Sequence, residues 1–440
     1  MRIIYLRITV HRGTQEVGGS CIEVSTDNSR IILDIGLPLF NRNRQALDSF
    51  AIKRMTREQL RNEGLLPEIP GLYEGAGGPD AILLSHAHMD HTGLLEHCQS
   101  QIPVYASSGT SKMMLAGSLF AAQVGLSREQ FREVLPESPV TIGDFKITGF
   151  PVDHSIYGCL AYLIEAEGQS ILYSGDLRSH GRKPGMNRRL IEVLQDKTID
   201  VMLMEGTHFG FPDGNSKNEY ELEKEITELV RESESLVLAS FSPQHVDRLV
   251  AFIRAAIKTK RTFVADVYTA FIMYLLKNEI PTIPQPKSAG LVRVYVPESL
   301  RQPNTRRGRV QQVERFEHAE IKLDEIMQSP EKYVMVFRSS MLDDFKEGLP
   351  QDVCCLYSRW HGYLEQSGWE STRHSIMQVD GTIHEVHTSG HMLSADIVQL
   401  VRNINPQAIV PVHTFEPGRF LEHFENVQLL QDGEPFLVEA

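Results

Sequence analysis

Short apolar runs, each closed by a turn residue, recur along this chain and set the elements it is expected to form. Residues 1–10 read as a first strand, the glycine turn Gly13–Ser20 comes next, and the runs Cys21–Val24 and Arg30–Gly36 complete a pattern that predicts a β-meander. Residues 40–80 are polar, charged and interrupted by proline and glycine, with one helical stretch near Thr56–Glu63; they are expected to form an irregular excursion over the site. Ala81–Leu84 fits a buried strand, Ile102–Ala106 another, and Ser111–Val124 an amphipathic helix. Later runs predict strands at Ser170–Asp176 and Ile199–Glu205, the second leading into Gly206. Beyond Gly206 the pattern alternates again through Val237–Leu249, a helix near Tyr268–Lys277 and a strand at Tyr333–Phe337, consistent with a separate lobe. Its hinges are expected near Gly206 and residues 365–375, before a helix at Ala395–Asn403 and a strand at Ala408–His413.

The chain has 440 residues, too many for one typical domain, and 41% hydrophobic with 23% charged residues describes a globular protein with ample core. With 44 Lys and Arg against 57 Asp and Glu, the formal charge is −13, so a polyanion must be held by a local basic patch or by metal ions. Five cysteines, Cys21, Cys98, Cys159, Cys354 and Cys355, contain no C-x-x-C pair; their odd number argues against a disulfide framework and for a reducing compartment. The arginine-containing start does not resemble a signal peptide, and no apolar run approaches the roughly 18 residues that span a bilayer. A cytoplasmic protein without membrane contact is expected.

The stretch after Leu84 changes this picture. His86, His88, Asp90 and His91 crowd a strand end, a density of ligands that no ordinary core needs. Side chains two apart on an extended segment point the same way, so His86 and His88 can grip one cation while the turn at Met89 swings Asp90 and His91 toward a second. Asp34 ends an apolar strand and is placed to steady the neighbouring loop. His154 comes after a strand and Asp176 ends the next; together they supply the further histidine and the bridging carboxylate that a two-metal site requires.

The block H-x-H-x-D-H, taken with Asp34, His154 and Asp176 in order, resembles the first motifs of the metallo-β-lactamase superfamily. Glu205, His387-Thr-Ser-Gly-His391 and His413 resemble the three added motifs of its β-CASP branch, and the chain is similar over nearly its whole length to ribonuclease J-like RNA-processing nucleases. The resemblance implies an α/β fold: an αββα sandwich (residues 1–206 and 371–440) into which an α/β β-CASP lobe (residues 207–370) is inserted. It also implies two divalent metals, zinc first and manganese as the alternative. His86, His88 and His154 would hold the first, Asp90, His91 and His413 the second, and Asp176 both. A histidine at the third added motif goes with RNA-directed members. Only Thr414–Ala440 comes after that motif, so the further C-terminal domain of longer bacterial members is not expected here; a homo-oligomer stays compatible with the sequence.

The reaction expected is hydrolysis of RNA phosphodiester bonds, on a substrate expected to be single-stranded, with Asp90, His391 and Glu205 as catalytic residues. A histidine backed by a carboxylate is suited to protonate a leaving oxygen near neutral pH. His387, Ser389 and Gly390 lie in a turn before a helix start that can cradle a phosphate. Between Lys287 and Arg309 basic residues outnumber the one acid, and Arg306, Arg307 and Arg309 are candidates for contact with the RNA backbone. His11, His97, His208, His318, His361 and His423 are read as surface or packing residues. The competing readings are a thioester or lactone hydrolase of the same superfamily, a DNA nuclease, and a metal-free scaffold; the complete ligand set argues against the last.

Overall fold

Alternation sorts the strands between two cores: in Arg30–Leu33, Ile31 and Leu33 join one apolar cluster and Ile32 another, as a period of two requires. The computed structural model describes residues 6–41, 44–210, 217–301, 307–365 and 367–438. The first half of the expected first strand, residues 1–5, lies outside them. Among the described residues a seven-stranded sheet runs in the order Pro435–Leu437, Arg7–Arg12, Cys21–Ser25, Arg30–Leu33, Ala81–Leu83, Val104–Ala106, Phe131–Glu133. A six-stranded sheet runs Ala408–Val412, Val201–Glu205, Gln169–Tyr173, Leu160–Ala166, Phe145–Pro151, Val140–Ile142.

Between these two sheets lies one layer in which Ile8, Val24, Leu33 and Leu83 join Ile147, Ile164, Ile171, Leu203 and Val410. Their outward residues, among them Ile32, Val104, Leu172 and Met202, share a second cluster with Met113 of the helix Ser108–Phe120, Leu190 of Gly185–Leu194 and Val401 of Ser394–Ile404. This is the expected αββα sandwich. The excursion of residues 40–80 is anchored in that helix-side core by Leu60, Leu66, Leu72 and Tyr73, while near its start Arg44 pairs with Glu416, three residues past His413.

A third sheet has the order Val292–Tyr295, Thr262–Asp266, Tyr333–Val336, Val237–Ser240, Cys354–Tyr357, Thr382–Glu385, with every pairing parallel. Parallel neighbours need crossovers, and the helices Val246–Lys258 and Val267–Leu275 serve as two of them. Both faces are consequently buried: Val237 and Ala239 enter one cluster, Leu236 and Leu238 another. Thr382–Glu385 pairs with Cys354–Tyr357, so the chain leaves this sheet only after Glu385, later than the return expected near residue 370.

Strand direction, more than strand order, decides where the ligands gather. Arg30–Leu33 and Ala81–Leu83 are parallel, as are Gln169–Tyr173, Val201–Glu205 and Ala408–Val412. Phe145–Pro151 is two antiparallel steps from Gln169–Tyr173 and so runs the same way. Each of these strands therefore ends at one edge of its sheet, and Asp34, His86, His154, Asp176, Glu205 and His413 lie at or just past those ends.

Candidate metal and catalytic site

Asp34 is the hub behind the histidine block. It is fully buried and sits at φ 58°, a left-handed conformation that costs a non-glycine residue free energy. Four donors hold it there: Ser85 N and Ser85 Oγ, each at 2.7 Å, Tyr173 Oη at 2.7 Å and His91 Nδ1 at 2.8 Å. Two residues on, a Cβ on Gly36 would collide with the Asp90 carbonyl, so only glycine lets this strand end pass under the metal loop.

Three further imidazoles are oriented by their second nitrogens. His86 Nδ1 is 3.0 Å from Ser85 Oγ, His154 Nδ1 donates to the Gly390 carbonyl at 2.5 Å, and His413 Nδ1 is 2.9 Å from Thr207 Oγ1. Such partners fix the tautomer and turn the other nitrogen toward the site. His86 Nε2 and His154 Nε2 then stand 3.0 and 3.2 Å from His88 Nδ1. His91 Nε2 lies 3.1 Å and His413 Nε2 3.8 Å from Asp176 Oδ2, and His413 Nε2 lies 3.3 Å from Asp90 Oδ2. The three nitrogens of His86, His88 and His154 form one possible ligand group, and Asp90, His91, Asp176 and His413 a second.

Two features show that divalent cations fit. Asp176 Oδ1 is buried with no hydrogen-bond partner among the described residues. The nitrogens of His86, His88 and His154 converge with lone pairs toward one another at the spacing they take when sharing a cation at about 2.0–2.1 Å. Burial also keeps these three imidazoles neutral, His88 pushed down to about 4, which is the ligand form. His91 is different: burial opposes its charge, but Asp176, Asp34 and Asp90 outweigh burial and raise it.

Beside this set stands a dyad. Both oxygens of buried Glu205 lie 3.2 Å from His391 Nδ1, and Thr207 Oγ1 is 3.1 Å from the same nitrogen. Burial works against a charged His391, yet Glu205 and Asp176 prevail and hold it at about 9. Ser389 Oγ accepts from the His391 amide at 3.0 Å, and Gly390 packs so closely that a Cβ there would meet Ser155 Oγ at 2.5 Å. His387 is exposed in the same loop.

Not every expected residue joins the site. Arg306 lies outside the described residues, and of Arg307 only the backbone, at the start of the helix Arg307–Glu314, is described. Arg309 Nε donates to the Leu119 carbonyl at 2.6 Å, while Arg293 and Arg301 pair with Glu325 and Glu320. These three arginines are thus engaged with the protein itself. Conversely, His208, expected to be a surface or packing residue, has Nε2 2.7 Å from Ser389 Oγ, and His180, which the sequence does not single out, donates from Nε2 to the Ser389 carbonyl at 2.8 Å. Their nearness in sequence to Glu205 and Asp176 was the available signal.

Comparison with known proteins agrees with this geometry. Residues 55–210 match the family model for a beta-lactamase superfamily domain. Ribonuclease J of Mycolicibacterium smegmatis is 23% identical over 93% of this chain and 68% of its own length. Ribonuclease J of Corynebacterium glutamicum is 23% identical over 93% of this chain, which spans 53% of that protein. An RNase J-like protein of Methanocaldococcus jannaschii is 22% identical over 59% of this chain and 57% of its own length. A crystal structure of a protein of unknown function from Enterococcus faecalis superposes with TM-score 0.77 at 24% identity, covering 98% of this chain and all of that one, which shows the fold.

Proposed function

We propose that this chain is a ribonuclease J-like β-CASP protein of the metallo-β-lactamase superfamily and, on that premise, a metal-dependent ribonuclease that hydrolyses single-stranded RNA. The observation that carries the proposal is the convergence of five imidazole nitrogens and two carboxylates beside the Glu205–His391 pair. His86, His88 and His154 would hold one cation, Asp90, His91 and His413 the other, and Asp176 both; the nitrogen-rich set suits zinc, with manganese as the alternative. Such a pair supplies activation of a water at neutral pH and charge for a phosphoryl oxygen.

The chain's own groups do the rest. Asp90, the more open of the site carboxylates, orients the attacking water. Glu205 occupies His391 Nδ1 and so leaves Nε2 to protonate the 3′-oxygen as the P–O bond breaks, giving a 5′-phosphate and a 3′-hydroxyl. The loop His387–Gly390 receives a substrate phosphate, with its shape set by His180 and His208. Five free thiols among the described residues suit a reducing cytoplasm, and no helix of the described residues is long and apolar enough to cross a membrane.

The test is turnover of end-labelled single-stranded RNA, single-stranded DNA and a generic thioester by zinc- or manganese-loaded protein. RNA should be cut fastest and chelator should stop it. Thioester turnover without RNA cleavage would move the chain to the small-molecule hydrolases.

A further inference from the structure

We propose that Arg178 is a positioning residue that sets the inserted lobe, and with it the loop His387–His391, against the metal-ligand half of the site. Its guanidinium is fully buried and divided among three carboxylates: Nε donates to Asp153 Oδ1 at 3.0 Å, Nη1 to Glu219 Oε1 at 2.9 Å and Nη2 to Asp247 Oδ2 at 2.6 Å. Asp153 belongs to the sandwich and immediately precedes His154, while Arg178 stands two residues past Asp176. Glu219 and Asp247 lie in the first turns of the lobe helices Glu219–Glu232 and Val246–Lys258.

Glu219 passes the connection onward. Its carboxylate accepts from Arg248 Nη2 at 3.1 Å and Nε at 3.3 Å, and Arg248 Nη1 reaches the Val386 carbonyl at 3.2 Å and the Ser358 hydroxyl. Val386 is the residue before His387. A buried line of charged hydrogen bonds therefore runs from the neighbour of one ligand to the neighbour of the phosphate loop. Its sandwich end is tightly seated: Asp153 Oδ2 also accepts from the Lys183 amide at 3.1 Å, and a Cβ on Gly181 would strike this carboxylate. A planar guanidinium meets three carboxylates in fixed directions, which an ammonium cannot. Buried ion networks contribute little net stability against an apolar replacement, but they can specify one arrangement; here the two ends of the network say which arrangement that is.

The kinetic effect of Arg178 is read on RNA and so rests on the nuclease reading; a second readout is chosen that does not. Nitroxide labels at Leu135→Cys and Met377→Cys, both exposed positions, one on the sandwich and one on the lobe, report lobe alignment by pulsed electron resonance in a Cys98→Ser background. The expected result is one narrow distance distribution that Arg178→Met broadens. On an RNA oligonucleotide the same variant should lose roughly 10²-fold in kcat/KM, while bis(nitrophenyl) phosphate hydrolysis and metal content stay within about threefold of wild type, since the small diester needs only the metal half. Arg178→Lys should recover part of the loss. Should Arg178→Met fail to fold, Asp247→Asn, which leaves Arg178 two carboxylates, should show the same pattern more weakly. An unchanged distribution, loss of metal, or equal loss on both substrates overturns the proposal. A wild type inactive on both substrates would count against the nuclease reading instead, and the distance distributions would then decide Arg178 alone.

Discussion

His391 and His413 stack 5.4 Å apart and both lie within 3.1 Å of Thr207 Oγ1, yet their surroundings give them different work. His413 turns Nε2 toward Asp90 and Asp176, whereas His391 is held at Nδ1 by Glu205. His391→Ala should therefore keep its metal and slow RNA cleavage by roughly 10² to 10⁴. A nitrophenyl phosphodiester, whose leaving oxygen needs no proton, should be spared most of that loss. His413→Ala should lose metal and be impaired on both substrates; elemental analysis beside the two rate measurements separates the cases, and metal loss from His391→Ala would return that residue to the ligands. At this scale the sequence was most legible where residues crowd into a motif, as from His86 to His91. For His180, His208 and Arg178 the sequence offers only their nearness to Asp176 and Glu205, because their contacts are created by closure of the chain: His208 meets Ser389 across 181 positions, and Arg178 meets Asp247 across 69. Arg293 and Arg301 show the reverse case, in which basic residues of a local charge excess pair with acids that lie further along the chain.

Elements were legible where a local rule and a tertiary one agree. The helix Arg57–Asn62 begins at Thr56, whose side chain accepts from Gln59 N while Gln59 returns a bond to the Thr56 amide, a capping box visible in the sequence. What this short helix does was not visible: it carries Leu60, fully buried, into the core, so the excursion is structural. Thr56→Ala should accordingly lower unfolding free energy by about 1 kcal/mol, read from the urea midpoint, and leave catalysis unchanged. A drop in kcat would mean that the excursion does reach the site. Elsewhere boundaries moved for identifiable reasons. The helix expected at Ser111–Val124 occupies Ser108–Phe120, because Ser107 caps it through Thr110 N and the chain turns at Ala122, φ 50°, before Val124 re-enters the core without helical form. Thr382–Glu385 is only partly buried and alternates poorly, so nothing local revealed it as the edge strand of the third sheet.

For the whole molecule the consequence is that one site is assembled from residues spread between His86 and His413, on strand ends of two sheets and loops that flank a third. Without cations this edge gathers four largely buried carboxylates, Asp34, Asp90, Asp176 and Glu205, against imidazoles of which burial keeps several neutral. Divalent ions would offset that charge, and because the ligands come together only in the folded chain they would stabilise it by mass action. At free cation 100 times the dissociation constant each ion contributes about 2.7 kcal/mol, which for a cooperative unit of this size corresponds to roughly 3 °C in Tm. Chelation followed by dialysis should therefore lower Tm by at least that amount, and zinc or manganese should restore it in proportion to the metal bound. His154→Ala removes one ligand and the bond to Gly390, so its Tm should respond less to chelator than wild type, whereas Thr56→Ala should respond fully. A wild-type protein that binds close to two ions yet shows no chelator-dependent Tm would mean that the unfolded chain holds them as tightly as the folded one. A protein that binds none, and regains no activity with either metal, would end the metalloenzyme reading.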